Sequence, residues 1–146
     1  MKIKVTATVI LLSLASFILI LTHATATETI DLSGEWDAIF IRMRPEVGNT
    51  FDTEKDIVKI SQKGNEFVGI CMIGGKRIGK NEEAIKGRLS GDKFEEAFIS
   101  YSDVITFSLS WNQGRATIND AKDLIVIYSF IESVPVHRTA VLTRIK

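Results

Sequence analysis

The sequence predicts an all-β domain, an antiparallel up-and-down β-barrel of about eight to ten strands that follows an N-terminal signal segment. Segments in which apolar and polar residues alternate with a period of two recur along the chain, and turn residues separate them. Outside the leader, no window of a dozen residues shows the 3.6-residue period of a helix. A barrel is favoured over an open sheet because closure removes exposed strand edges.

Composition limits the function classes that need consideration. The chain has 146 residues, of which 45% are hydrophobic and 25% charged, enough for one folded domain with a real core. The leader holds Lys2 and Lys4, and removing these two from 18 basic residues leaves 16 against 18 acidic residues. A domain with this slight negative charge has no basic field for nucleic acid, which is therefore not a predicted partner.

The first 26 residues have the parts of a secretory signal. Lys2 and Lys4 precede an apolar run over residues 5–21, and Ala24-Thr25-Ala26 supplies the small residues that signal peptidase needs. We predict a signal peptide over residues 1–26 and a secreted or extracytoplasmic domain over residues 27–146. The alternative is an uncleaved membrane anchor formed by residues 5–21, a run slightly shorter than the roughly 20 residues of a span.

The first predicted strand, Gly34–Arg42, comes shortly after the leader. Trp36, Ala38 and Phe40 alternate with Glu35 and Asp37, the pattern of a strand with one buried face. Later segments repeat this pattern, and Glu95-Glu96 interrupts it in a way that predicts a β-bulge. The further predicted strands are Asp56–Gln62, Glu66–Ile73, Ala84–Leu89, Lys93–Tyr101, Val104–Trp111, Arg115–Asn119, Leu124–Ile131 and Arg138–Lys146, with turns at Lys63–Asn65, Ser90–Asp92 and Asn112–Gly114.

Gly34-Glu35-Trp36 on the first strand and Arg144 on the last resemble the calycin superfamily of lipocalins, fatty-acid-binding proteins and avidins. The resemblance implies a lipocalin- or avidin-like barrel in which Trp36 packs under Arg144 and seals one end, a favourable cation–π arrangement. The segment Asp37–Ile41 lacks the polar positions that hold biotin in avidins, so biotin is not expected. In a meander, the first and last strands meet only if the number of strands is even.

The two longest predicted connections, Met43–Lys55 and Gly74–Glu83, lie at the same end of an antiparallel meander. Long loops on a rigid scaffold are where binding sites usually form. Apolar walls there would take a small, mostly apolar ligand, and the cations would suit an acidic group on it. The predicted ligand-binding residues are Phe40, Arg42, Met43, Lys76, Arg77 and Lys80.

Three further features of the sequence resemble nucleotide, metal or thiol sites. Residues 74–80 match the G-x-x-x-x-G-K pattern, but Asn81 stands where a nucleotide-binding loop needs Ser or Thr, so a nucleotide is not predicted. Asp52, Glu54 and Asp56 alternate, which favours a solvated strand start, with a weak calcium site as the alternative. Cys71 is the only cysteine and is predicted to be a buried thiol.

No nucleophile–base pair is visible, and residues 27–146 hold a single histidine, His137. We therefore predict a protein that is not an enzyme and needs no cofactor or metal. The rival interpretation is a structural or interaction module with a solidly packed barrel. Leu124–Ile131 is apolar on both faces, which would suit a second copy of the chain or another protein partner.

Overall fold

The structure, a computed structural model, describes residues 29–44, 48, 50–102, 109–131 and 136–146. The predicted signal segment 1–26 lies outside these residues. Within them, no helix is long and apolar enough to cross a membrane. The strands are β1 (Gly34–Arg44), β2 (Thr50–Lys63), β3 (Glu66–Cys71), β4 (Glu83–Ser90), β5 (Lys93–Ser102), β6 (Leu109–Ile118), β7 (Leu124–Ile131) and β8 (Val136–Arg144).

These eight strands form a closed antiparallel barrel in which each strand pairs with its neighbours in sequence and β8 pairs with β1. The prediction of an all-β up-and-down barrel is therefore confirmed. The even number of strands is what brings the first and last strands together, with Trp36 opposite Arg144. The predicted bulge is also confirmed, because Arg88 pairs with Glu96 while Leu89 pairs with Phe94, leaving one extra residue on β5.

The predicted turn at Asn112–Gly114 is wrong. Strand β6 runs through it, so Arg115–Asn119 is not a separate strand; residues 104–108 of the predicted Val104–Trp111 strand lie outside the described residues. Gly114 pairs with Ala97 on β5 and with Ser129 on β7. A Cβ atom at this position would lie 2.5 Å from the Tyr128 carbonyl oxygen. The glycine thus serves a close approach between strands, not a turn.

The first connection is also shorter than predicted. Strand β2 begins at Thr50 instead of Asp56, and the β1–β2 ladder continues from Gly34 opposite Ile60 to Arg44 opposite Thr50. Much of the predicted Met43–Lys55 loop is therefore paired strand. The connection between β3 and β4, residues 72–82, remains a loop as predicted.

Tightly packed apolar side chains fill one end of the barrel, here called the closed end. This end carries the short turns between β2 and β3 and between β4 and β5, and the segment 29–33 crosses it before β1. Trp36 is fully buried and donates its indole N–H to the Leu32 carbonyl oxygen at 2.9 Å. The largest buried apolar side chains of the core are Trp36, Phe67, Leu32, Ile60, Ile85, Leu89, Ile125, Ile127 and Leu142.

Candidate functional site: a cationic cavity at the open end

The opposite end, here called the open end, contains a cavity of about 600 Å³, the mouth cavity. Strands β1, β2, β5 and β8 form its walls, and the β3–β4 loop covers one side. Phe40, Ile78 and Ile99 give it apolar surface. The full lining is Phe40, Ile41, Arg42, Asp52, Thr53, Glu54, Lys55, Lys76, Arg77, Ile78, Ile99, Ser100, Tyr101, Arg138 and Thr139.

Strand register explains why two arginines meet in this cavity. Arg42 on β1 and Arg138 on β8 are direct cross-strand partners. Arg42 lies two residues from Phe40 and Arg138 two residues from the buried Ala140, so both continue the inward-facing side of their strands. The Arg138 guanidinium carbon lies 4.3 Å from the centre of the Tyr101 ring, a cation–π contact.

Positive charge accumulates in the mouth cavity. Burial, followed by the nearby charges of Arg42 and Arg77, lowers the pKa of Arg138 to about 10. A guanidinium with that pKa is still protonated at neutral pH, so the shift reports mainly the cost of burying this charge, to which the neighbouring arginines add. Five cationic and two acidic side chains line the cavity, although the domain as a whole is slightly acidic. An anion placed there would relieve this imbalance.

The carboxylates of Asp52, Glu54 and Asp56 bind the β3–β4 loop through hydrogen bonds and an ion pair. Asp56 is buried and accepts hydrogen bonds from the backbone N–H groups of residues 72, 73 and 74 at 2.9–3.1 Å. Glu54 accepts one from the Lys76 N–H, and Asp52 pairs with the Arg77 guanidinium at 2.5 Å. The prediction of a solvated strand start is therefore wrong for Asp56, which is buried, whereas the Asp52 side chain remains 41% exposed. Among the described residues, no group of three or more His, Cys, Asp or Glu is placed to hold a metal ion.

The same bonds account for the glycine-rich motif at residues 74–80. Gly74 has a φ of 82°, a conformation that L side chains rarely adopt, and a Cβ atom on Gly75 would collide with the Glu54 carboxylate. The Gly79 N–H is also occupied, because it donates to the Glu82 carboxylate at 2.6 Å. These amides point at carboxylates, the opposite of what a phosphate-binding loop requires.

Four of the six residues that sequence reasoning assigned to ligand binding line the mouth cavity: Phe40, Arg42, Lys76 and Arg77. The other two do not line it. Met43 follows Arg42 on β1 and falls on the opposite side of the strand alternation, and Lys80 is exposed on the far part of the loop.

Sequence reasoning missed Tyr101 and Arg138. Arg138 carried a usable signal, because it alternates with Ala140, Leu142 and Arg144 and therefore shares their inward face. Tyr101 carried a weaker one, as the last inward position of β5 after Ile99.

The closed end uses its arginine differently. The Arg144 guanidinium carbon lies 4.5 Å from the centre of the Trp36 ring, and its Nη atoms donate to the carbonyl oxygens of Ser33 at 3.1 Å and Asp31 at 2.8 Å. Gly34, with a φ of 126°, brings the chain into β1 beside this guanidinium. Arg144 therefore ties the entering segment, the first strand and the last strand together.

Comparison of the chain with family models, curated proteins and solved structures finds no match. The closed eight-stranded antiparallel barrel is compatible with a calycin-like fold.

Proposed function

We propose that this protein is a secreted or extracytoplasmic small barrel that binds a small, mostly apolar acid in the mouth cavity. The observation that carries the proposal is the meeting of Arg42, Arg77 and Arg138 beside the apolar side chains of a cavity of about 600 Å³. That volume falls within the range of ligand pockets, roughly 300–1,000 Å³. The arginines would bind the acidic group, and Phe40 and Ile78 would contact the apolar part.

A binding role is proposed in preference to a catalytic one. The thiol of Cys71 is fully buried, and burial, followed by the charge of Asp56, raises its pKa to about 12. A thiol in that state is a poor nucleophile. The imidazole of His137 hydrogen-bonds to the Tyr128 hydroxyl outside the mouth cavity. The likeness of the Trp36 and Arg144 pair to calycins supports a binding barrel as well.

The proposal is tested by binding of dodecanoate and of its uncharged analogue dodecanol, each measured by displacement of the fluorescent anion anilinonaphthalene sulfonate from the protein. Dodecanoate should bind more tightly. Arg138→Leu should weaken dodecanoate about tenfold or more, because a charge-assisted contact is lost, while dodecanol changes less than about twofold. Lys63→Ala, an exposed substitution at the closed end, is the matched control and should change neither.

Export is tested separately by N-terminal sequencing of the extracytoplasmic protein, which should begin Thr27-Glu28-Thr29. A full-length membrane-bound chain as the sole product would replace the secreted form of the proposal with the anchored form. The binding proposal fails if neither dodecanoate nor the sulfonate binds at any concentration below the solubility limit.

A second candidate function is an interaction module, favoured by the outer surface of the barrel. Ile39 on β1, Val141 on β8 and Val126 on β7 are successive partners in the strand register and carry apolar side chains to the outer face. Ile39 is exposed over 37% of its surface, and Tyr128 lies nearby on β7 with 43% exposed. Sedimentation of the wild type against Val126→Lys distinguishes a self-associating barrel from a monomer.

A further inference from the structure

Three buried polar groups on the adjacent strands β6, β7 and β8 have no hydrogen-bond partner among the described residues. They are the Asn112 amide nitrogen, the Ser129 hydroxyl and the Arg138 Nε. Arg138 lines the mouth cavity, and the other two groups belong to the register partners of its lining residues Ile99 and Arg138. Asn112 is 8% exposed and Ser129 is 1% exposed. Buried polar groups in native proteins are almost always paired, so three unpaired groups on neighbouring strands call for an explanation beyond folding.

Strand register brings these groups together on the inner face. Ser129 on β7 is the direct partner of Arg138 on β8, and on its other side it faces Gly114 on β6. Asn112 lies two residues from Gly114 toward the open end, diagonal to Ser129, and is level with Ile99 of the cavity wall. The row runs across three adjacent strands from an arginine of the mouth cavity.

We propose that Asn112 and Ser129 form a second polar subsite, which selects acids carrying a further oxygen acceptor, a hydroxyl or a ketone, along the apolar chain. The proposal deepens the proposed function and rests on it. The subsite borders Arg138, whose Nε is the third unpaired group, and it assigns the ligand to the hydroxy or oxo acids rather than to plain fatty acids.

The chemistry of the three groups sets what the subsite accepts. An amide nitrogen and Nε are donors only, and a serine hydroxyl donates or accepts, so the matching ligand group is an acceptor oxygen. Neighbouring strands lie about 4.8 Å apart, which places Ser129 roughly 5 Å and Asn112 roughly 10 Å across the sheet from Arg138. An oxygen between these distances from the acidic group would meet both side chains.

A plain fatty-acid chain leaves these donors buried and without a hydrogen-bond partner. A site that has such donors selects a ligand whose oxygen pairs with them over one that lacks this oxygen. The apolar wall formed by Phe40 and Ile99 contributes equally to plain and oxygenated chains. Selectivity should therefore reside in the subsite, and overall affinity in the arginines and the apolar wall.

The test compares dodecanoate with a series of hydroxydodecanoates and oxododecanoates that carry the oxygen at successive carbons. Each is titrated against the protein by displacement of anilinonaphthalene sulfonate. At least one position should bind about tenfold more tightly than dodecanoate, for both the hydroxy and the oxo compound. Asn112→Leu should erase that preference and leave dodecanoate within about twofold of its wild-type affinity. Ser129→Ala should reduce the preference about threefold.

Gln113→Leu is the matched control, because Gln113 is the next residue on β6 and is exposed on the opposite face. It should keep the full preference. Asn112→Ser, which retains a donor, should keep part of it and guards against a variant that merely fails to fold. The side-chain amide of Asn112 gives an NMR signal that can be identified by its absence in Asn112→Leu. In the wild type, the chemical shift of this signal should change more on binding of the preferred oxo acid than on binding of dodecanoate.

The two proposals fail in distinguishable ways. If dodecanoate binds and no oxygenated analogue exceeds it by more than about twofold, the subsite is wrong and the acid-binding function stands. Equal loss of dodecanoate and oxygenated acids in Asn112→Leu would also overturn the subsite, because Asn112 would then support the barrel alone. If no acid displaces the sulfonate, the proposed function falls and the subsite falls with it.

Discussion

The two ends of the barrel place an arginine on the same inward face of β8 in contrasting surroundings. At the closed end, Arg144 lies over Trp36 and donates to two backbone carbonyls. At the open end, Arg138 lies over Tyr101, has Arg42 as its cross-strand partner, and keeps a buried Nε without a hydrogen bond. The Arg144 guanidinium therefore finds hydrogen-bond acceptors within the fold, whereas the Arg138 guanidinium has a buried Nε–H that lacks one.

The same contrast extends to the rest of the inward face. Toward the closed end it is apolar, with Trp36, Ile125 and Leu142 fully buried. Toward the open end it becomes polar, with Asn112, Ser129 and Arg138. Natural barrels give up stability where they bind ligands, since groups suited to a ligand are poorly suited to a core. We therefore assign stability mainly to the closed end, and the proposed binding function to the open end.

The largest expected difference comes from truncating an aromatic side chain at each end of β1. Trp36→Ala should lower the free energy of unfolding by about 3–5 kcal/mol, because it removes a fully buried side chain and leaves a cavity. Phe40→Ala should cost clearly less, about 1–2 kcal/mol, because Phe40 already borders the mouth cavity. Urea unfolding followed by circular dichroism measures both, and equal losses would contradict the division into two ends.

The second-largest loss of stability is expected when the hydrogen bonds between β2 and the β3–β4 loop, which covers the open end, are weakened. Asp56→Asn should cost about 2 kcal/mol, because a carboxylate that accepts three backbone hydrogen bonds is replaced by an amide with fewer acceptor sites. Dodecanoate affinity should fall as well, since the loop carries Arg77 and Ile78. Asp37→Asn, an exposed position on β1, is the control for lost charge. An unchanged unfolding curve would show that these bonds contribute nothing net.

A smaller effect, which should destabilise only at the closed end, is expected for the arginines of β8. Arg144→Leu should lower the free energy of unfolding by about 1–2 kcal/mol, through loss of two hydrogen bonds and the cation–π contact. Arg138→Leu should leave it unchanged or raise it by up to about 1 kcal/mol, because a crowded, partly buried charge is replaced by an apolar group. Thermal and urea unfolding of both variants would measure the difference, and a loss in Arg138→Leu as large as in Arg144→Leu would contradict it.

The sequence predicted the closed end better than the open end, and the reason is physical. Alternation identifies the inward face only where that face is apolar, as at Trp36 and Ala38. On β6 it misleads, because Trp111 lies on the outer face beneath the ammonium of Lys86 and the polar Asn112 faces inward. The β3–β4 loop identified the end that holds the mouth cavity, yet the inward-facing polar residues of that cavity resemble turn residues in sequence.

The role of the three alternating carboxylates was missed for a related reason. Alternating carboxylates at Asp52, Glu54 and Asp56 indicate a shared side, but their partners lie about 20 residues further along the chain, on the β3–β4 loop. No local pattern in the sequence connects the two segments. Their pairing follows only from the β2–β3 register, which the barrel as a whole determines.

The smallest expected effect concerns Cys71, which is buried at the end of β3, opposite Val58 and close to Asp56. Its folded pKa, about 12, lies above the ordinary thiol value of 9.0, so the folded state holds this proton more tightly than the unfolded state between these two pH values. The thiol's contribution to stability is therefore complete below pH 9 and is lost as the pH rises toward 12.

Wild-type protein should accordingly lose more stability than Cys71→Ala between pH 8 and pH 10, by at most about 1.4 kcal/mol for each pH unit above 9. Urea unfolding at a series of pH values measures this difference. The thiol should also resist a disulfide reagent at pH 8 until urea unfolds the barrel. Rapid labelling of the folded protein by this reagent would contradict the expectation. It would show that solvent reaches Cys71 in the folded barrel, so that the open end extends deeper than Asp56.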